Sequence, residues 1–115
     1  MRVAKAEIRW IPVSEGGRAK PFRGNIYSSV STWGGELRDA SAVWSAVLEL
    51  EGKPDASGTQ QATIRFLVPD APQHLIKCGA RFALFEVDHK TVEGRVVSEP
   101  SEEPWRPGLS QRQPA

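Results

Sequence analysis

Glu15-Gly16-Gly17-Arg18-Ala19-Lys20-Pro21-Phe22 is the stretch on which the fold turns. Two adjacent glycines close an alternating run and let the backbone turn sharply through φ > 0. Pro21 fixes its own φ and favours an extended Lys20. Phe22 then restarts an apolar run. The grammar is strand, turn, strand.

Upstream, Ala4, Ala6, Ile8 and Trp10 alternate with Lys5, Glu7 and Arg9. A period of two suits a half-buried strand. Pro12 ends that strand or puts it at an edge. Downstream, Ile26, Tyr27, Val30 and Thr32 carry β preference as far as Trp33, and Gly34-Gly35 marks a turn. Trp44, Ala46, Leu48 and Leu50 share one face of the next segment. The stretch from Gly52 to Gly58 reads as a turn or loop. Ala62, Ile64, Phe66 and Val68 alternate with Thr63, Arg65 and Leu67 until Pro69-Asp70-Ala71-Pro72. His74 to Lys77 fits one short helical or 3₁₀ turn. Arg81 to Val87 is nearly all apolar and reads as buried on both sides. With Thr91 to Val97 it forms a hairpin through Asp88-His89-Lys90.

Six or so strands and no long helix predict an all-β fold, a small antiparallel barrel or sandwich. Closure into a six-stranded β-barrel removes exposed edges, which a short all-β chain must protect. After Ser98 the composition turns polar and Pro-rich. Residues 1–98 are therefore expected to be the barrel domain and 99–115 a mobile tail. Trp105 is the exception in that tail. It either docks on the domain or serves a partner.

The chain of 115 residues suits one domain with one core. Its 15 basic and 14 acidic residues leave +1, so no global field advertises nucleic acid or membrane. The single Cys78 excludes an intramolecular disulfide and fits a reducing compartment. No apolar stretch approaches a membrane span, and the N-terminus lacks the apolar centre of a secretory signal. Cytoplasm is the expected location, with no membrane partner.

Two separated motifs resemble the third, C-terminal β-barrel domain of bacterial elongation factor Tu. Glu7-Ile8-Arg9-Trp10-Ile11, Glu15-Gly16-Gly17-Arg18 and Pro21-Phe22 are similar to its strand, acidic-Gly-Gly-Arg turn and Pro-Phe. Gly79-Ala80-Arg81-Phe82-Ala83-Leu84, then Lys90-Thr91-Val92-Glu93-Gly94-Arg95-Val96-Val97, resemble its last hairpin. The likeness spans roughly residues 5 to 98 and implies a stand-alone barrel without the GTPase part. There is no Gly-x-x-x-x-Gly-Lys-[Ser/Thr] phosphate loop, so no nucleotide is expected. In the family, polar and basic residues of this barrel grip the tRNA T-stem backbone. The resemblance carries Arg18 and Glu86 over. The family's Arg and Gln on the next strand fall on Ile26 and Ser28, and its Gly after the Glu is Val87. The stretch 36 to 39 has no counterpart.

Chemistry is sparse. Cys78 lies four residues after His74, and a Cys–His pair can act as nucleophile and base when the two converge. The alternative is a semi-buried, structural Cys78. His74, Cys78, Asp88 and His89 are too few and too scattered for zinc, so neither metal nor cofactor is expected. Arg18, Lys20 and Arg23, followed by Tyr27 and Trp33, join cations to aromatic platforms, as RNA binding needs. The same cations also serve simply to keep a hairpin soluble. Of Trp10, Trp33 and Trp44, at most two fit a narrow barrel. An outside Trp would mark an interface, Trp33 being the first candidate; rim packing over a barrel end is the other reading. The expectation is a non-catalytic binding module for a protein partner, or for self-association. Its face would carry Trp33 and the Arg18–Arg23 turn. RNA binding is the alternative, and a Cys78-dependent enzyme ranks last.

Overall fold

The computed structural model describes residues 1–34 and 43–106. The stretch 36 to 39 and the end of the chain from 107 lie outside the described residues. Seven strands follow in order: β1 (Arg2–Trp10), β2 (Ile26–Trp33), β3 (Trp44–Glu51), β4 (Thr59–Phe66), β5 (Arg81–Glu86), β6 (His89–Val96) and β7 (Ser101–Glu102). Short 3₁₀ turns occupy Val13–Glu15 and Gln73–Leu75. No α-helix occurs among the described residues.

The sheet runs β4-β3-β2-β5-β6-β1-β7, and β4 also pairs with β1. That extra pairing closes β1 to β6 into a six-stranded antiparallel barrel. β1 is the closing strand, because Ala6 faces Val96 of β6 on one side and Ala62 of β4 on the other. Closure leaves no long unpaired strand edge on this ring.

The period-two rows point where the alternation predicts. Ala4, Ala6, Ile8, Ala46, Leu48, Ala62, Ile64 and Phe66 all join the core. Small Ala6 and Ala62 at the closing pair leave the interior to Phe66, Phe82 and Trp33. Each large apolar side chain buried there contributes about 1.5–3 kcal/mol relative to exposure. Phe82 occupies the space beneath Gly94, where an added Cβ would lie 2.5 Å from its Cζ. The β5–β6 hairpin is not regular. Its register slips at Leu84/Phe85, so that Leu84 faces Val92 while Phe85 faces Lys90. Thr91 is the extra residue of this bulge. Thr91 and Val92 are consecutive yet both buried, as a bulge allows.

Three expectations change. Trp33 is only 7% exposed and packs on Phe66 and Phe82, with centroids 5.3 and 5.1 Å away. It is a core residue, because the last residue of β2 points inward on the same row as Tyr27 and Ser31. Cys78 is exposed rather than semi-buried, on the turn that enters β5. Ordered packing also runs past Ser98. β7 pairs with Arg2 and Val3, the Met1 ammonium donates to the Glu103 carbonyl at 2.7 Å, and Arg106 meets Glu49 at 3.0 Å. Glu49 also faces buried Arg65 at 3.5 Å, which draws this segment over the outer side of β3 and β4. Trp105 remains about half exposed on it.

Candidate functional site

β1 ends before Pro12, and the chain folds back at once. The Gly17 N–H donates to the Pro12 carbonyl at 3.0 Å. Gly16 adopts φ 89, and a Cβ at Gly17 would fall 1.8 Å from the Ile11 carbonyl oxygen. The Gly-Gly pair is thus required by a left-handed residue followed by a backbone crossing. The return aims Arg18 across the barrel end at β5.

There Arg18 Nη1 donates to Glu86 Oε2. The same oxygen accepts from Tyr27 Oη at 2.5 Å, and Tyr27 Oη also meets Thr91 Oγ1 at 2.7 Å. Burial pushes the Tyr27 phenol up to about 12, helped by its bond to Glu86. Desolvation raises the Glu86 carboxyl, but hydrogen bonds from Tyr27 and Arg18 outweigh it, leaving it below the usual carboxylate range. Arg18 also lies over the Phe22 ring at 5.6 Å, a cation–π distance. Phe22 stacks on Trp10 at 5.8 Å, and both meet Tyr27 edge-on at 4.9 and 5.0 Å. Trp10 Nε1 donates to Gln60 Oε1 at 2.8 Å, which anchors the stack to β4.

Two concavities flank the turn. One, of about 400 Å³, lies between Trp10, Pro12, Phe22 and the Pro54–Gly58 loop. That loop is held by Asp55, whose carboxylate accepts from the Ser57 hydroxyl at 2.6 Å and from the Ser57 and Thr59 N–H groups. The Ser57 hydroxyl, with these N–H groups, lowers the Asp55 carboxyl. The other, of about 440 Å³, lies between Arg18, Lys20 and the β5–β6 hairpin. At the hairpin tip Val87 is 99% exposed with φ 56. A β-branched residue at positive φ is strained.

Of the residues predicted for binding, Arg18 and Glu86 meet, with Tyr27 buried beneath them. Lys20 sits on the rim and Arg23 on the exposed approach to β2. Neither cation has an ion pair among the described residues. Trp33 is about 20 Å along β2 from Tyr27, near the opposite end of the barrel. Trp10, one of three tryptophans weighed for an interface, belongs to the site, as do Phe22, Thr91 and Val87, which the sequence did not single out for binding. Only the Pro-Phe step after the Gly-Gly turn hinted at Phe22.

Elsewhere, His74 and Cys78 are both exposed on the connection between β4 and β5. Among the described residues no group of three or more His, Cys, Asp or Glu could hold a metal ion, and no helix is long and apolar enough to cross a membrane. No protein-family model matches the chain, and no curated protein matches it either. The fold and the site define a closed all-β barrel with one crowded, cation-rimmed end.

Proposed function

We propose that this chain is a non-catalytic binding module, working through the barrel end that carries Trp10, Phe22, Lys20 and Val87. Val87 carries the reading. The φ of 56 is what the two-residue hairpin loop between paired Glu86 and His89 asks of its first central residue. Glycine would meet it without strain, whereas a fully exposed valine there costs on the order of 1–3 kcal/mol. Its gain lies in a partner. Lys20 and Arg23 on the same end lack ion pairs among the described residues, so the fitting partner is an acidic protein surface with an apolar contact. A second copy of the chain would set like charges against each other.

The buried chemistry agrees. A carboxylate held low is a weak base, and a phenol raised to about 12 stays protonated at neutral pH. The resemblance to the third domain of elongation factor Tu supports a barrel used for its outside. RNA binding is the weaker reading, because Tyr27 and Trp33 are buried and give a base no platform to stack on. A cytoplasmic setting, with Cys78 kept reduced, suits this role.

The test is capture from nuclease-treated lysate by wild type, Val87→Gly and Lys20→Glu/Arg23→Glu. A discrete protein held by wild type and lost from both variants supports the reading. Equal capture by all three, or capture that nuclease abolishes, overturns it. A concentration-dependent dimer broken by the same changes would replace the acidic partner with a second copy.

A further inference from the structure

On the barrel wall, away from that end, Arg81 of β5 and Arg95 of β6 face each other directly in register. The slip at Leu84/Phe85 creates this opposition; without the extra Thr91, Arg81 would face Gly94. Like charges directly opposite on neighbouring strands repel. Both arginines are exposed, and neither has an ion pair among the described residues.

Both line a groove of about 480 Å³. Its two carboxylates do not neutralise them. Glu93 is taken by Arg9 at 2.7 Å and by Lys90 at 3.2 Å. Glu7 stands opposite Arg95 on β1, but its Oε2 accepts from Gln61 Nε2 at 3.4 Å and forms no ion pair within 4.0 Å among the described residues. Glu93 is thus already compensated, and Glu7 beside Arg95 offsets only part of the charge of the two guanidinium groups.

We propose that Arg81 and Arg95 form a site for a phosphate dianion, free or carried as a monoester. Guanidinium forks match phosphate oxygens in pairs, and a dianion outweighs the single Glu7 carboxylate in drawing both arginines. A bound dianion would turn the repulsion between the strands into a bridge. The site is independent of the binding end and stands or falls without it.

Inorganic phosphate and a phosphoserine peptide are titrated against the whole chain at fixed ionic strength, with chloride as the control. The arginine Nε–H resonances and the thermal midpoint are followed. Phosphate shifts the Arg81 and Arg95 signals saturably and raises the midpoint, while chloride does neither. Arg81→Gln or Arg95→Gln weakens binding about tenfold or more. Arg81→Lys/Arg95→Lys, which keeps the charge and loses the fork, also weakens it. Without phosphate, Arg95→Gln melts no lower than wild type, since it relieves repulsion. Tighter binding of the peptide assigns the ligand to a phosphorylated side chain; tighter binding of inorganic phosphate assigns it to the free ion. Equal phosphate responses in wild type and Arg81→Gln/Arg95→Gln, or a matching response to chloride, overturn the site.

Discussion

Tyr27 Oη and Arg18 Nη1 donate to the same oxygen, Oε2 of Glu86. One carboxylate atom on β5 thereby ties the start of β2 to the Gly-Gly turn. Thr91 completes the arrangement from β6, and it reaches inward only because the hairpin is bulged there.

Alkaline pH should expose this arrangement. The folded phenol titrates near 12 against an ordinary value of 10.0. The folded state therefore holds its proton where the unfolded state releases it. The stabilisation is complete below pH 10 and is lost as pH rises towards 12, amounting to on the order of 2 kcal/mol. Tyr27 is the single tyrosine, so tyrosinate absorbance reports it alone. Urea midpoints of wild type and Tyr27→Phe should converge across this window. Parallel curves would contradict the assignment.

At acid pH Glu86 acts in the other sense. Its folded carboxyl lies below the ordinary 4.5, so its contribution is present above that value and is lost as pH falls through the folded titration. Glu86 is 37% exposed, so solvent screens the gain. Glu86→Gln should flatten the acid limb of stability and shrink, without abolishing, the alkaline limb due to Tyr27, as measured by chemical denaturation across pH. Burial of the phenol remains, while the carboxylate that helps to raise it is gone.

Gly94→Ala should destabilise the barrel by about 1–3 kcal/mol through overpacking. The new Cβ meets Phe82 Cζ at 2.5 Å and Ile8 Cγ2 at 3.0 Å. Phe82→Leu in the same chain should recover part of the loss, giving a non-additive cycle in urea unfolding. Additive losses would show that the two residues do not compete for this space.

Trp33→Ala should cost about 3–5 kcal/mol of stability, the cost of emptying a core site. Its effect on partner capture should be no larger than the unfolded fraction explains. Calorimetry alongside capture at low temperature separates the two.

Val87→Gly should raise stability by about 1 kcal/mol, because glycine accepts φ 56 without strain. Loss of capture together with a higher melting midpoint would mark Val87 as a contact rather than a fold determinant.

The strands were legible because Ala4–Trp10 and Ala62–Phe66 alternate in register with the pleat. The Gly-Gly turn was legible because only glycine tolerates its geometry. Trp33 misled because bulk next to Gly34 looks the same whether the strand's last residue points in or out; the parity set by Tyr27 decides it. The bulge left no signal, since Lys90-Thr91-Val92 reads as a regular strand. With it went the sight of Thr91 inside and of Arg95 opposite Arg81. Val87 carried no glycine to announce positive φ. β7 was hidden because two polar residues, Ser101 and Glu102, show no alternation; they pair through backbone and through the Glu102 carboxylate, which meets the Met1 ammonium at 3.3 Å.

β1 spans the seam between β4 and β6, and β6 comes after four intervening strands along the chain. An unfolded molecule must therefore bring distant segments together before the ring is complete, so loop-closure entropy weighs on the rate-limiting step. Refolding should take milliseconds to seconds rather than microseconds. Until the last hairpin arrives, Val3 to Trp10 waits as a sticky half-paired ribbon, the interval in which a chaperone has most to protect.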